Sequence, residues 1–381
     1  MNIAFALYRF FPYGGLQRDM LAIAAHCVES GATVRIYCAA WEGDKPADMD
    51  VIVLPVQGLT NHARNRHFSE RLQHAWRNAP PDYCVGFNKL PGLDCYYAAD
   101  TSFRAKLFQE RSRWWRWLPR YRQFLQDEAA VFAAGRNTQV LALSQRSVDE
   151  YEAYYPGVSR RCIVLPPGIR LDRKSPRNVA QIRAAFRQSQ FLTDADRLVL
   201  MIGSGFRTKG VDRAITALAA LPETLRRRTR LVVIGQDNAK PFLTQARAQG
   251  VAEQVQLLGG RDDVPTFLLG ADLLLHPAYR ENTGTVLLEA VVAGLPVLTT
   301  EVCGYSHYIN DHNCGRVITE PFSQDRLNRQ LQHFLEDDVL REHCQQHALA
   351  FAEAGDIYSL HSRAAALIVK YATEKRGARD E

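Results

Sequence analysis

No run in this 381-residue chain approaches the roughly 20 consecutive apolar residues that a membrane-spanning helix needs. The amino terminus lacks the charged and apolar regions of a signal peptide, since Met1-Asn2-Ile3 reads directly into a strand. The eight cysteines include no CxxC pair, and Cys27/Cys38, Cys84/Cys95 and Cys303/Cys314, each eleven positions apart, match no metal-binding spacing. Reduced, buried thiols in a cytoplasmic protein are therefore expected. There is no GxGxxG fingerprint, and no glycine loop ends in the GKS or GKT of a Walker ATPase. No internal repeat is found. The net charge of +6 is too small to specify a polyanionic partner by itself, so its distribution matters more than its size.

What is present reads as two α/β domains, for which 381 residues at 46% hydrophobic content leave room. Residues 3–8 form an apolar run of strand length. It leads through a loop containing Gly14 and Gly15 into a helix-like pattern at 16–29 and a second strand at 34–38. Strand, glycine loop, helix and strand open a doubly wound sheet. The glycine pair has two readings, a close backbone approach to a ligand or a plain tight turn. Further short strands fall at 83–87, 95–99, 140–143 and 162–165. Pro166-Pro167-Gly168 continues neither strand nor helix, so the first domain is placed at 1–167, with Arg173 and Lys174 just beyond it. The pattern then restarts with a strand at 198–202, a loop holding Gly203, Gly205, Arg207, Lys209 and Gly210, and a helix at 211–221. Arg207 and Lys209, at the carboxyl end of a strand, suit a diphosphate. The second domain is expected over 168–356, and a last helix within 357–381 to return to the first.

The most informative stretch is Glu281-Asn-Thr-Gly-Thr-Val-Leu-Leu-Glu289. It follows the apolar run 273–275 and precedes Gly294 and Pro296, giving strand, loop, helix, glycine stop and strand. Asn282, Thr283 and Thr285 are good helix-capping types, and the amides near Gly284 are expected to present partial positive charge to an anion. Glu281 precedes the helix and Glu289 lies more than a turn inside it. A helix start flanked by two carboxylates suits a phosphorylated sugar.

Two acidic positions and one basic segment stand outside this pattern. Asp48-Met49-Asp50 has the DxD form of a metal site, but it sits between Pro46 and a strand with no other ligands nearby, so a solvated turn is expected. Asp100 follows a strand end, where it either faces the ligand crevice or caps the next helix. Residues 104–122 carry Arg104, Lys106, Arg111, Arg113, Arg116, Arg120 and Arg122 against Glu110 alone, interleaved with Phe103, Phe108, Trp114, Trp115, Trp117 and Tyr121. Pro119 interrupts or starts a helix there. Such a segment fits an anionic membrane surface, its rings in the interface and its arginines on phosphates. The other reading is a core-packing helix with a solvated basic face. Single-stranded nucleic acid uses similar residues, but no nucleic-acid module accompanies them, so no nucleic-acid partner is expected.

Together these stretches resemble the retaining glycosyltransferases of family 4. The family's Glu-x7-Glu signature falls on Glu281 and Glu289, with the strand before it and Ala290-Val-Val-Ala293-Gly294-Leu-Pro296-Val297 after it. The phosphate loop keeps Lys209-Gly210 but has Gly203-Ser204 where members commonly carry Gly-Arg, so Arg207 or Arg173 is left to supply the second cation. Over essentially the whole chain the resemblance extends to members that add a hexose, usually glucose in α-1,3 linkage, to the inner-core heptose of lipopolysaccharide. It is carried by 7–19 (including Asp19), 41–44, 86–94, 165–169, 172–174 and 302–305.

This resemblance implies a GT-B fold, two Rossmann-like domains facing each other across a cleft. It implies a UDP-sugar donor held by Gly14, Gly15, Asp19, Arg173, Gly205, Arg207, Lys209, Glu281, Asn282, Thr283, Gly284, Thr285 and Glu289, with Glu281 on the sugar hydroxyls and Glu289 on the ribose. Catalysis then falls to Glu281, Lys209 and Arg173, with Asp100 orienting the acceptor or serving as base, and with no metal or other cofactor. The implied acceptor is a phosphorylated lipid, heptosylated lipid A. The segment 103–132 is implied to dock on the anionic inner face of the cytoplasmic membrane, making the protein cytoplasmic and peripheral. Asn282 and Thr283 stand where glucose-adding members often carry alanine, which keeps UDP-N-acetylhexosamines open as donors. A non-catalytic nucleotide-sugar-binding module is the alternative outside enzymes.

Overall fold

Residues 3–7 are all apolar, and a strand sends successive side chains to opposite faces. Ile3, Phe5 and Leu7 therefore enter one core with Met20, Ile23 and Cys27 of the helix Gly15–Glu29. Ala4 and Ala6 enter another with Phe68, Leu72 and Trp76 of the helix Asn61–Asn78. A strand apolar on both faces needs helices on both, which is the doubly wound arrangement. The computed structural model describes residues 1–12, 14–110, 115 and 117–380. It divides into two compact units, Met1–Gly168 with Ser359–Glu381, and Ile169–Tyr358.

Among the described residues the first unit contains β1 (Asn2–Phe10), β2 (Thr33–Trp41), β3 (Asp50–Val53), β4 (Tyr83–Gly86), β5 (Cys95–Ala98), β6 (Gln139–Ala142) and β7 (Cys162–Val164). They pair in the order β3-β2-β1-β4-β5-β6-β7, every pair parallel. The carboxy-terminal helix Leu360–Asp380 belongs to this unit. Leu360, Ala364, Ala365, Ile368 and Ala372 complete the core around Ile3 and Phe5, and Lys375 Nζ lies 2.6 Å from Asp94 Oδ1.

The second unit repeats the design with β8 (Arg197–Ile202), β9 (Thr229–Ile234), β10 (Val255–Leu257), β11 (Leu273–His276), β12 (Val297–Thr300) and β13 (Gly315–Ile318). Their order is β10-β9-β8-β11-β12-β13, again all parallel. Leu198 and Leu200 enter one core and Val199 and Met201 the other. Chain order reverses between β8 and β11, and ligands of open α/β sheets bind beyond the carboxyl ends of strands at that reversal. The loops leaving β8 and β11 carry Lys209 and Glu281. No helix among the described residues is long and apolar enough to cross a membrane, and all eight cysteines are free thiols.

Candidate active site

In the second unit the β8 loop ends in a single helical turn, Phe206–Lys209, between Gly205 and Gly210, both left-handed at φ 78° and 77°. Such φ values strain any side chain but glycine's. Gly210 is constrained twice, because a Cβ there would lie 2.0 Å from the carbonyl oxygen of Pro277. Its bare backbone lets the turn press against the β11 loop. Tyr279 N donates to Thr208 O at 2.8 Å, and Arg213 donates to the carbonyls of Pro277 and Ala278 at 3.1 and 2.9 Å, fastening the same junction. The guanidinium of Arg213 lies 3.5 Å from the ring centroids of both Tyr279 and Phe322.

This junction brings Lys209 and Glu281 into direct contact, Nζ donating to Oε2. The same carboxylate oxygen lies 3.2 Å from Nε2 of His276, the last residue of β11, whose side chain is 1% exposed. Burial acts to raise the pKa of Glu281, but His276 and Lys209 outweigh it and bring it down to about 2. Burial likewise opposes charge on His276, while Cys303 and Glu281 push its pKa up to about 9. Among the described residues its Nδ1 makes no geometric hydrogen bond, and the side chains acting on the ring are Glu281, on Nε2, and the Cys303 thiol. His276 was missed in the sequence because it closes an apolar strand run. Its one signal was a polar residue at a strand's carboxyl end, five positions before Glu281.

The helix after the loop is Thr285–Val292, and its N-cap is Gly284 at φ 79°, with no side-chain cap. The N-cap position expected of Asn282, Thr283 or Thr285 falls on Gly284, which turns the chain in a left-handed conformation, and Thr283 Oγ1 lies 3.4 Å from Thr285 Oγ1. The cap residue itself therefore brings no side chain to the amides at this helix start. Glu289 lies in the second turn, half-buried. Arg207 is exposed and paired with Asp212 at 3.2 Å, over the ring of Tyr279. Arg173 ends a short turn, Leu171–Arg173, with its Nε buried and without a hydrogen-bond partner among the described residues.

In the first unit Gly14 is the N-cap of Gly15–Glu29, also without a side-chain cap. Asp19, on that helix, accepts from Tyr97 at 2.8 Å and pairs with His361 of the carboxy-terminal helix at 2.9 Å. Asp100 does not cap the helix Phe103–Glu110. Glu128 does, its carboxylate accepting from the amides of Phe103 and Arg104 at 2.5 and 3.1 Å and from Ser102 Oγ at 2.8 Å. Glu128 is fully buried and paired with Lys89 at 2.8 Å. Asp100 is exposed, yet held from behind by the Tyr96 hydroxyl and by Lys89 at 3.5 Å. In the DxD, Asp50 opens β3 and pairs with Arg35 at 3.5 Å, while Asp48 sits in an exposed turn.

The basic aromatic segment contributes the helices Phe103–Glu110 and Pro119–Phe132, the second begun by its proline. Arg111, Arg113, Trp114 and Arg116 lie outside the described residues. Arg104 does not project outward. It donates to Tyr154 O at 3.4 Å and lies 5.2 Å from the Tyr155 ring, because Glu128 anchors the start of its helix to the domain. Lys106 and Arg120 are exposed, as are Phe108, Trp115 at 37%, Trp117 at 64% and Leu118.

Two doubly wound parallel-sheet domains, one with a cation, a carboxylate and a glycine-capped helix start at its topological switch point, define a protein of the GT-B type. Comparisons with known proteins give the family. The model described as "Glycosyl transferases group 1" matches residues 182–351. The lipopolysaccharide glucosyltransferase WaaG of Escherichia coli K12 is 45% identical over 368 residues, 97% of this chain and 98% of that protein. The crystal structure of WaaG, a glycosyltransferase involved in lipopolysaccharide biosynthesis, superposes with a TM-score of 0.88 over 96% of this chain and 99% of that one. Anabaena HepE, solved in complex with UDP-glucose, shares the fold at 19% identity, with a TM-score of 0.72 over 97% of this chain and all of that one. The chain belongs to the group 1 glycosyltransferases and is a sugar-transferring enzyme.

Proposed function

We propose that this enzyme moves glucose from UDP-glucose, with retention and in α-1,3 linkage, onto an inner-core heptose of lipopolysaccharide. The observation that carries the reading is the Lys209–Glu281 contact at the switch point of a chain so similar to WaaG along its whole length. As the anomeric bond lengthens, negative charge grows on the departing diphosphate. Lys209, the buried Nε of Arg173 and the helix-start amides after Gly284 are the groups assigned to it. Glu281, ionised down to a pH of about 2, accepts from sugar hydroxyls. Glu289 is assigned to the ribose, and Gly14, Gly15 and Asp19 to the remainder of the donor site. Retention follows from same-face attack, in which the leaving phosphate oxygen takes the acceptor proton. Asp100, exposed and braced by Tyr96 and Lys89, orients the acceptor.

Preorganised cations and amides do this work without a metal, so turnover is expected to survive EDTA. A strict Mn²⁺ or Mg²⁺ requirement would return Asp48 and Asp50 to consideration. Titrating the purified protein with UDP-glucose, UDP-galactose, UDP-GlcNAc and UDP-GalNAc tests the donor. Tightest binding and fastest transfer are expected with UDP-glucose. Preference for an N-acetylhexosamine would assign that selectivity to the polar side chains of Asn282 and Thr283 beside Glu281.

We also assign the segment 103–132 to the inner face of the cytoplasmic membrane. Trp115, Trp117, Leu118 and Phe108 expose apolar surface beside Lys106 and Arg120, the combination that binds anionic interfaces. Changing Trp115 and Trp117 to Ser is expected to weaken binding to phosphatidylglycerol vesicles at least fivefold in a co-sedimentation assay. Unchanged sedimentation would return both rings to a packing role.

A further inference from the structure

Glu281 has two cations on one oxygen, and they differ in what else they can reach. Lys209 sits at the end of a loop turn with its side chain 23% exposed, whereas His276 is 1% exposed at the end of β11. On the reading of Lys209 as a diphosphate cation, a donor and Glu281 compete for the same ammonium. The Glu281 side chain is only 13% exposed, so water compensates little of its charge if Lys209 turns away. Removing one partner of a largely buried ion pair is strongly unfavourable when nothing replaces it.

We propose that His276 is a positioning residue that fixes Glu281 and becomes its counter-ion when a nucleoside diphosphate draws Lys209 away. The ring is suited to this because its side chain is 1% exposed and its Nε2 already lies 3.2 Å from Glu281. Thr299 Oγ1 donates to the His276 carbonyl oxygen at 3.0 Å, tying β11 to β12, and lies 3.4 Å from Cys303 Sγ. The ionisable groups around it are Glu281 and Lys209 from the two loops and Cys303 from the turn after β12. A pKa of about 9 keeps the ring protonated at neutral pH, the state that the hand-over requires. His276 then governs diphosphate affinity without touching the diphosphate.

The test is UDP binding by calorimetry, with thermal melting as the check on folding. His276→Leu is expected to weaken UDP at least fivefold, because Lys209 is then held on Glu281 without the buried imidazolium to take its place. Adding Glu281→Gln removes the charge that holds Lys209 back, so the double variant is expected to bind UDP within twofold of wild type while transfer stays lost. A purely structural role for His276 gives no such rescue. Should His276→Leu melt early, His276→Gln takes its place, with a loss of at least twofold and the same rescue. Wild-type affinity in a folded His276 variant, or a double variant binding no more tightly than the single, overturns the proposal. Failure of the wild-type protein to bind UDP at all overturns the reading of Lys209 itself, and this inference with it.

Discussion

Lys209→Ala is expected to lower sugar transfer more than tenfold while leaving the fold in place. Tenfold corresponds to about 1.4 kcal/mol of transition-state stabilisation, and a hydrogen bond to a charged group supplies roughly 1.5–3 kcal/mol. The loss should fall mainly on kcat, since charge on the departing diphosphate is greatest in the transition state. Folding should be spared because Lys209 ends a loop turn and its side chain is partly exposed. Glu281→Ala is expected to match this loss from the sugar side of the same contact. Near-normal turnover in either variant, measured with a labelled UDP-sugar and checked by thermal melting, would remove that residue from the site.

Gly210→Ala is expected to be nearly as damaging, although it removes no functional group. The new Cβ would meet the Pro277 carbonyl oxygen at 2.0 Å from a backbone at φ 77°. The turn carrying Lys209 must therefore move off the loop carrying Glu281. A misplacement of about 1 Å costs on the order of a hundredfold in favourable cases, so a loss of at least tenfold is expected. Gly250→Ala is the control. Gly250 is also left-handed, at φ 71°, but has open space around it and lies after the helix Lys240–Ala248. It should cost only about 1–2 kcal/mol of stability, with turnover unchanged. Equal turnover in the two variants would mean that the Gly210–Pro277 approach does not set the site.

The parallel strands were legible because apolar runs such as 3–7 and 198–202 bury both faces, a pattern that needs no tertiary context. Lys209 and Glu281 were legible as candidates because each follows a strand end in a loop rich in glycine or capping residues. Their direct contact was not, since it depends on Gly210 meeting Pro277 across 67 positions of sequence. His276 was hidden inside an apolar run. Lys89 and Glu128 were hidden as ordinary surface charges, because 39 positions of chain separate two residues that only folding buries together. A helix start near Gly284 was legible, but its cap was expected from a polar side chain, and the N-cap is Gly284 itself. In the segment 103–132, composition showed the basic and aromatic content. Only the structure separates Arg104, packed on Tyr155, from the exposed Trp117.

The most direct test of the account is transfer of labelled glucose from UDP-glucose to purified lipopolysaccharide truncated at the inner-core heptoses. The assay is run in EDTA, with the product's anomeric configuration read by NMR. The account predicts lipid-linked label in α configuration, lost in Lys209→Ala. UDP-glucose binding with no labelled lipid, or a β-linked product, would contradict it.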